Sequence, residues 1–236
     1  MKIFIDTASI EEIKKYLAEG LCDGVTTNPT TFVKAGILDK EKVKERILEI
    51  AKLIDPRPLS VEVTSENPEE IISQAREFTN WALNIVVKVT VIDRNGNSLL
   101  SAINQLVKEG IIINVTSVMT YNQAILTAKT LANGLQSANA KKPHFISIFA
   151  GRIAEEHGVQ VAFNAIKNTR DWLDCYQING VEILIASVRS PENVEYFSRA
   201  GGHAITIPPE ALAKSLVSAK SKEGVAIFIE DARKSS

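Results

Sequence analysis

Eight times along the chain a short run of β-branched and aliphatic residues gives way to an amphipathic stretch, and the cycle repeats at intervals of about thirty residues. That is the rhythm and the length a closed β/α barrel requires. The apolar runs are Lys2 to Asp6, Gly24 to Thr27, Leu59 to Val63, Asn84 to Thr90, Ile111 to Val115, Phe145 to Phe149, Val181 to Ala186 and Ala204 to Ile207. Between them the helix signals are local. Ser9 with Glu12 has the form of a capping box ahead of Ile10, Ile13 and Leu17, Pro68 and Pro191 sit where helices open, and Gly20, Gly110 and Gly201-Gly202 sit where helices close. A charged helix is expected from about Asp39 to Ile54, and others end near Trp81, Glu109, Ala132 and Tyr176, the last of them starting near Val159. Asn133 to Pro143 reads as a long polar connection, and Pro208-Pro209 leads into a last helical region. An open, doubly wound sheet is the structural alternative, but no glycine-rich dinucleotide loop follows the first run, and such sheets seldom need eight parallel strands. We expect an α/β fold, a single (β/α)8 TIM barrel domain over residues 1–236, with an additional C-terminal helix.

In the fourth run, Asn84-Ile85-Val86-Val87-Lys88-Val89-Thr90, apolar residues on both faces mark a parallel strand covered by helices, yet a lysine interrupts them. Burying an ammonium without a partner costs several kcal/mol, so Lys88 must find a carboxylate or give up its proton. A desolvated amine that has lost its proton attacks ketones and aldehydes to form Schiff bases. A lysine snorkelling from a strand end, or a structural ion pair, is the plainer alternative.

Composition narrows the partners. Charges nearly cancel, 27 basic against 28 acidic, so no net field favours nucleic acid or an anionic membrane, while a small anionic substrate stays open. Cys22 and Cys175 are too few and too far apart for a disulfide framework or a thiolate metal site, and the three histidines have no ligand-like spacing. We expect no metal and a cytoplasmic protein. The amino terminus enters a strand directly, without the pattern of a signal peptide, and no apolar run approaches a membrane span.

Barrel active sites lie at the carboxyl ends of the strands. The polar residues at those ends are Asp6, Asn28, Glu62, Lys88, Asn114 with Thr116, Ser147 with Arg152, and Ser187 with Arg189. Singly, each has a structural explanation in a cap, a turn or a surface ion pair. Together they deliver polar groups to one end from seven strands, with two acids able to work beside one amine. A neutral Lys88 adds to a ketose carbonyl, Asp6, Glu62 and Thr116 suit the proton transfers, and the protonated imine then accepts electrons as a carbon–carbon bond breaks. No cofactor is needed. Arg152 and Arg189 would form a forked site for a phosphate at the far end of the sugar.

These residues resemble the transaldolase family, in its short, fructose-6-phosphate-aldolase-like branch. The stretches that carry the resemblance are Phe4-Ile5-Asp6-Thr7-Ala8, Asp23-Gly24-Val25-Thr26-Thr27-Asn28-Pro29-Thr30, Val61-Glu62-Val63, Val86-Val87-Lys88-Val89, Ile113-Asn114-Val115-Thr116, Phe149-Ala150-Gly151-Arg152 and Ala186-Ser187-Val188-Arg189. The resemblance implies Lys88 as the Schiff-base lysine, Asp6 as acid/base for carbon–carbon cleavage, and Glu62 and Thr116 as holders of the catalytic water. It also implies a substrate-binding set of Thr27, Asn28, Asn114 and Phe149 around the sugar and Ser147, Arg152, Ser187 and Arg189 around its phosphate. Such enzymes transfer a dihydroxyacetone unit between sugar phosphates or release it free. Transaldolases that resemble this chain carry Glu and Phe where the aldolases carry Gln and Tyr, and Glu62 with Phe149 favours transfer. Departures lie at Thr90, where the family usually has proline, at Ile148 and Ala150 within the Ser147 to Arg152 stretch, at the displaced acidic pair Glu155-Glu156, and in the long segment from Asn133 to His144. They keep two alternatives open: an aldolase releasing free dihydroxyacetone or acting on another anionic sugar, and a barrel that binds a sugar phosphate without turning it over. Short family members form rings, so a homo-oligomer, pentamer or decamer, is expected, with small-molecule sugar phosphates as the other partners.

Overall fold

Strands with Val and Ile on both faces make a stable sheet only when both faces are covered, by helices on each or by helices on one and closure of the sheet on the other. The computed structural model has the second arrangement and describes residues 1–135 and 142–234. The strands β1 (Lys2–Asp6), β2 (Gly24–Thr26), β3 (Leu59–Glu62), β4 (Ile85–Thr90), β5 (Ile113–Val118), β6 (His144–Ile148), β7 (Val181–Ile185) and β8 (Ala204–Ile207) form a closed parallel barrel in sequence order, β8 pairing back onto β1. The helices are α1 (Ile10–Ala18), α2 (Pro29–Lys34), α3 (Lys40–Ile54), α4 (Pro68–Thr79), α5 (Leu100–Lys108), α6 (Tyr121–Leu135), α7 (Ala150–His157), α8 (Val159–Cys175), α9 (Pro191–Ser198), α10 (Pro209–Ser215) and α11 (Ala219–Lys234).

Alternation along each strand sorts the side chains into two cores. Ile5, Val25, Val61, Val87, Ile146, Ile183 and Ile205 are buried in one continuous cluster with the helices. Phe4, Val86, Phe145, Leu184 and Ala204 form a separate cluster inside the barrel, where the Phe4 and Phe145 rings meet edge to face at 5.7 Å. Full burial of such a side chain stabilises by about 1.5–3 kcal/mol. Gly24 completes the plug, because a Cβ there would come within 3.0 Å of the Phe4 ring and 2.9 Å of the Pro58 carbonyl. Two residues further along the same strands, on the same inward side, stand Asp6, Thr26, Lys88, Ser147 and Thr206. The apolar plug is therefore the floor of a polar layer.

Where the structure departs from the sequence pattern, the cause is local. Two helices were not expected. Asn28 caps α2 by accepting from the Thr31 N–H while Thr31 reciprocates, a capping box around Pro29 that lasts only six residues and carries no amphipathic period. α7 begins at Ala150, one residue after β6, and Phe149 before it offers no side-chain cap to announce it. In α1, Tyr16 rather than Leu17 is buried, its hydroxyl donating to the Pro209 carbonyl at 2.9 Å and tying α1 to α10. β5 starts at Ile113 and runs on to Val118, so Thr116 lies within the strand. Asn133 to Leu135 continue α6, and of the rest of the expected polar connection residues 136–141 lie outside the described residues, while Lys142 and Pro143 lead directly into β6. No helix among the described residues is long and apolar enough to cross a membrane. None of the residues of α11 is buried, although Val225, Ile227, Phe228 and Ile229 lie on it.

At the foot of the barrel two histidines replace strand carbonyls as acceptors. His144 Nδ1 accepts from the Ile113 N–H at 3.0 Å, and His203 Nδ1 accepts from the Ile183 N–H at 2.9 Å. Burial pushes the His144 imidazole from 6.5 down to about 4. Between those values the unfolded chain binds the proton that the folded one excludes. The stability that neutral His144 confers is thus complete above about pH 6.5 and is lost as pH falls towards about 4, by about 3 kcal/mol. Urea unfolding near pH 7 and near pH 4.5 should show this loss, and His144→Asn should reduce it, because an amide oxygen accepts the same N–H without titrating. An equal loss in both proteins would remove His144 as its cause.

Candidate active site

Above the plug the strand ends converge on a cavity of about 1040 Å3 whose wall includes Asp6, Thr26, Asn28, Glu62, Lys88, Ser117, Ser147, Phe149, Arg152, Ser187, Arg189 and Thr206. It extends outward past Tyr16 of α1, Lys34 of α2 and Lys214 of α10.

In-register pairing of β3 with β4 sets Glu62 beside Lys88. Lys88, only 6% exposed, holds its Nζ 3.0 Å from Glu62 Oε2 and donates to the Thr27 carbonyl at 3.3 Å. Of the two courses open to a buried amine, it has taken a carboxylate partner. That carboxylate is also placed to receive the amine's proton when the nitrogen attacks a carbonyl carbon.

Asp6 ends β1 on the same inward layer. Its Oδ1 accepts from Thr26 Oγ1 at 3.0 Å and from Asn28 Nδ2 at 3.4 Å. Burial raises the Asp6 carboxyl above its ordinary value, against the opposing pull of Lys88, the Thr26 hydrogen bond and Lys34. A carboxyl displaced in that direction exchanges protons more readily near neutral pH.

Beyond Lys88 the ring is clamped by neutral groups. Asn114 Nδ2 donates to Ser60 Oγ at 3.1 Å, and Ser147 Oγ donates to Asn114 Oδ1 at 2.8 Å. Thr116 is 1% exposed and its Oγ1 has no partner among the described residues, the kind of group an ordered water satisfies. Thr27, Asn114 and Thr116 do not line the cavity. Thr27 contributes its carbonyl to Lys88, while its hydroxyl donates to the Ser60 carbonyl at 2.9 Å.

The two arginines stand at the cavity mouth, both exposed. Arg152, in the first turn of α7, lies 5.1 Å over the Phe149 ring. Arg189, just past β7, pairs with Glu155, and exposed pairs of this kind contribute roughly 0–1 kcal/mol, less than a forked contact to a phosphate. The loops meet because Gly151 has no side chain: a Cβ there would collide with the carbonyl oxygen of Ser187, a residue itself held at φ 59°. Thr26, Ser117 and Thr206 line the same cavity, Ser60 stands one step below Glu62 at the level of Val86, and none of the four was singled out in the sequence. Thr26, Ser60 and Thr206 were findable, since each shares inward parity with a plug residue or with Glu62. Ser117 was not, because it faces the cavity only through a register shift between Val115 and Val118, at φ 58°.

A parallel barrel with a buried, carboxylate-paired lysine at its strand ends, and a second carboxyl across the same cavity, defines a lysine-dependent enzyme of the aldolase class. The chain belongs to the Transaldolase/Fructose-6-phosphate aldolase family, whose pattern matches residues 3–235. It is 36% identical over 231 residues to a protein of Streptococcus agalactiae called "Probable transaldolase", covering 98% of this chain and 97% of that one. To a "Probable transaldolase" of Lactiplantibacillus plantarum it is 38% identical over 233 residues, covering 98% and 96% of the two chains. The fold is similar to that of a solved fructose-bisphosphate aldolase from Campylobacter jejuni, with a TM-score of 0.56 at 12% identity over 89% of this chain and 71% of that one.

The raised Asp6 carboxyl has a consequence for stability. A carboxyl that holds its proton more tightly when folded destabilises the native state above its folded pKa and ceases to do so as pH falls through it. Asp6→Asn, which keeps an oxygen for Thr26 and removes the buried charge, should therefore raise the thermal midpoint at neutral pH, by differential scanning calorimetry. A lowered midpoint would show that attraction to Lys88 outweighs burial.

Proposed function

We propose that the protein is a transaldolase, moving a dihydroxyacetone unit from a ketose phosphate to an aldose phosphate. The observation that carries the reading is the buried Lys88–Glu62 pair facing Asp6 across one polar cavity. Lys88 gives its proton to Glu62 and attacks the ketose carbonyl carbon. The carbinolamine loses water, held by Glu62 and Thr116, and becomes the protonated imine. Asp6 then takes the proton of the hydroxyl two carbons along, the carbon–carbon bond electrons move into the imine, and an aldehyde leaves behind an enamine on Lys88. The enamine adds to the acceptor aldehyde, whose oxygen recovers the proton from Asp6, and water releases the new ketose.

Asn28 fits a contact to the sugar hydroxyls, Asn114, set behind the cavity wall, would reach them only by releasing Ser60 or Ser147, and Thr27 supports the lysine from behind. Ser147, Ser187, Arg152 and Arg189 fit the phosphate, with Phe149 stacking under Arg152 and limiting water near the imine. Glu62 and Phe149 favour transfer over release of free dihydroxyacetone. The reading is of a cytoplasmic, cofactor-free, single-domain enzyme of small sugar phosphates, with no nucleic-acid partner.

Borohydride reduction in the presence of fructose 6-phosphate, followed by peptide mass spectrometry, should leave a stable adduct on Lys88, and an aldose phosphate acceptor should be needed for turnover. Lys88→Met should remove the adduct and reduce turnover by at least about a thousandfold while the barrel stays folded. Unchanged turnover in that variant would rule the mechanism out.

A homo-oligomer, in rings of five or ten, is part of the same proposal. A 16-residue helix with no buried residue is marginal alone, and α11 presents Val225, Ile227, Phe228 and Ile229 to solvent. A neighbouring copy is the proposed cover. Phe228→Asp should reduce the mass measured by light scattering towards 25.8 kDa, whereas a wild-type protein already at that mass would remove the proposal.

A further inference from the structure

The Asp6 carboxylate is flanked by hydroxyls from both neighbouring strands. Thr26 of β2 donates from Oγ1 to Asp6 Oδ1 at 3.0 Å, and the same Oγ1 lies 2.6 Å from Thr206 Oγ1 of β8. A hydroxyl has one hydrogen. With Thr26's committed to Asp6, the 2.6 Å contact is a hydrogen bond only if Thr206 donates, so the chain runs Thr206 to Thr26 to Asp6. Both donors to Asp6, Thr26 and Asn28, reach Oδ1, and among the described residues no hydrogen bond to Oδ2 is found.

We propose that Thr206 is a positioning residue which, through Thr26, anchors Asp6 by Oδ1 and leaves Oδ2 as the oxygen that exchanges a proton with the substrate hydroxyl. The proposal rests on the acid/base role given to Asp6 above. No net proton passes along the threonines. The transferred proton moves between the substrate oxygen and Oδ2, while the Thr26 hydrogen stays on Oδ1 and the Thr206 hydrogen on Thr26 Oγ1, an order that favours the ionised carboxylate. Hydrogen bonds in series strengthen one another, so the remote hydroxyl acts on a carboxylate it does not touch. Thr206 is 5% exposed, which keeps bulk water from replacing it. The other charges facing Asp6 are Lys88 of β4, Lys34 of α2 and Glu62 of β3, and none of them is altered by changing Thr206.

The test compares Thr206→Val, which keeps the shape and removes the hydroxyl, with Thr206→Ser, which restores the hydroxyl, and with Asp6→Asn. Carbon–carbon cleavage needs ionised Asp6, so in Thr206→Val the rising limb of kcat against pH should move to higher pH and kcat near neutrality should fall about fivefold to tenfold. KM and borohydride trapping on Lys88 should stay near wild type, and Thr206→Ser should recover the wild-type profile. If Thr206→Val keeps the wild-type profile while Asp6→Asn is inactive, the relay is overturned and the role of Asp6 stands. If Asp6→Asn keeps its turnover, both are overturned. A loss in Thr206→Val that the serine does not recover, with KM and kcat affected alike and no shift of the limb, would make Thr206 a packing residue and overturn the relay as well.

Discussion

An ammonium and a carboxylate 3.0 Å apart inside an apolar barrel have lost most of their hydration, and their attraction offsets that loss only while the geometry holds. The barrel is what holds it. Pairing of Glu62 with Lys88, and of Lys88 with Asn114, makes the place of each charge a property of backbone hydrogen bonds rather than of side-chain choice. The next strands round the ring bring Asn114 and Ser147, which with Ser60, one step below Glu62 on β3, are neutral groups that satisfy one another. Among the described residues Lys88 therefore has Glu62 as its one ion-pair partner, and the clamp beyond it adds no charge.

Stability and chemistry are separated by height in the same barrel. The Phe4, Val86 and Phe145 plug and the aliphatic layer under the helices are apolar and closely packed, the arrangement that stabilises a fold most per residue. One step up each strand the composition reverses. There a half-buried carboxyl is displaced from its ordinary value by loss of hydration, and a buried threonine hydroxyl has no partner among the described residues. Such groups weaken a fold, and their concentration in a single layer over an apolar floor is what an active site requires.

Much of this was legible before any coordinates. The repeating alternation defined the barrel, and a lysine in an otherwise apolar strand pointed to the polar cavity at the strand ends. Ala204 to Ile207, the last strand, ends where the pattern placed it. What escaped had physical causes. α2 is too short to carry a period, and α7 has no side-chain cap. Ser117 reaches the cavity through a register shift that no one-strand pattern encodes. The contact between Thr26 and Thr206 joins residues 180 positions apart and exists only because the sheet closes. Thr27 stands in a motif that reads as substrate-facing, yet it offers its carbonyl to Lys88 while its side chain turns to the Ser60 carbonyl.

That closure bears on when the molecule first becomes competent. Every strand but β1 and β8 pairs only with its neighbours in sequence, whereas β1 must wait for β8. Bringing the two ends together closes the longest loop in the sheet, the kind of contact that forms last and slowest. Asp6 lies on this seam, with Phe4 paired to Thr206 and Ile5 to Ile207. A chain still on the ribosome and lacking β8 already carries Lys88, Glu62 and both arginines, but leaves Asp6 on an open edge. The seam thus ties the first strand's carboxyl to the last strand made: until β8 pairs, Thr206 cannot reach Thr26 and the Asp6 end of the layer stays unclosed.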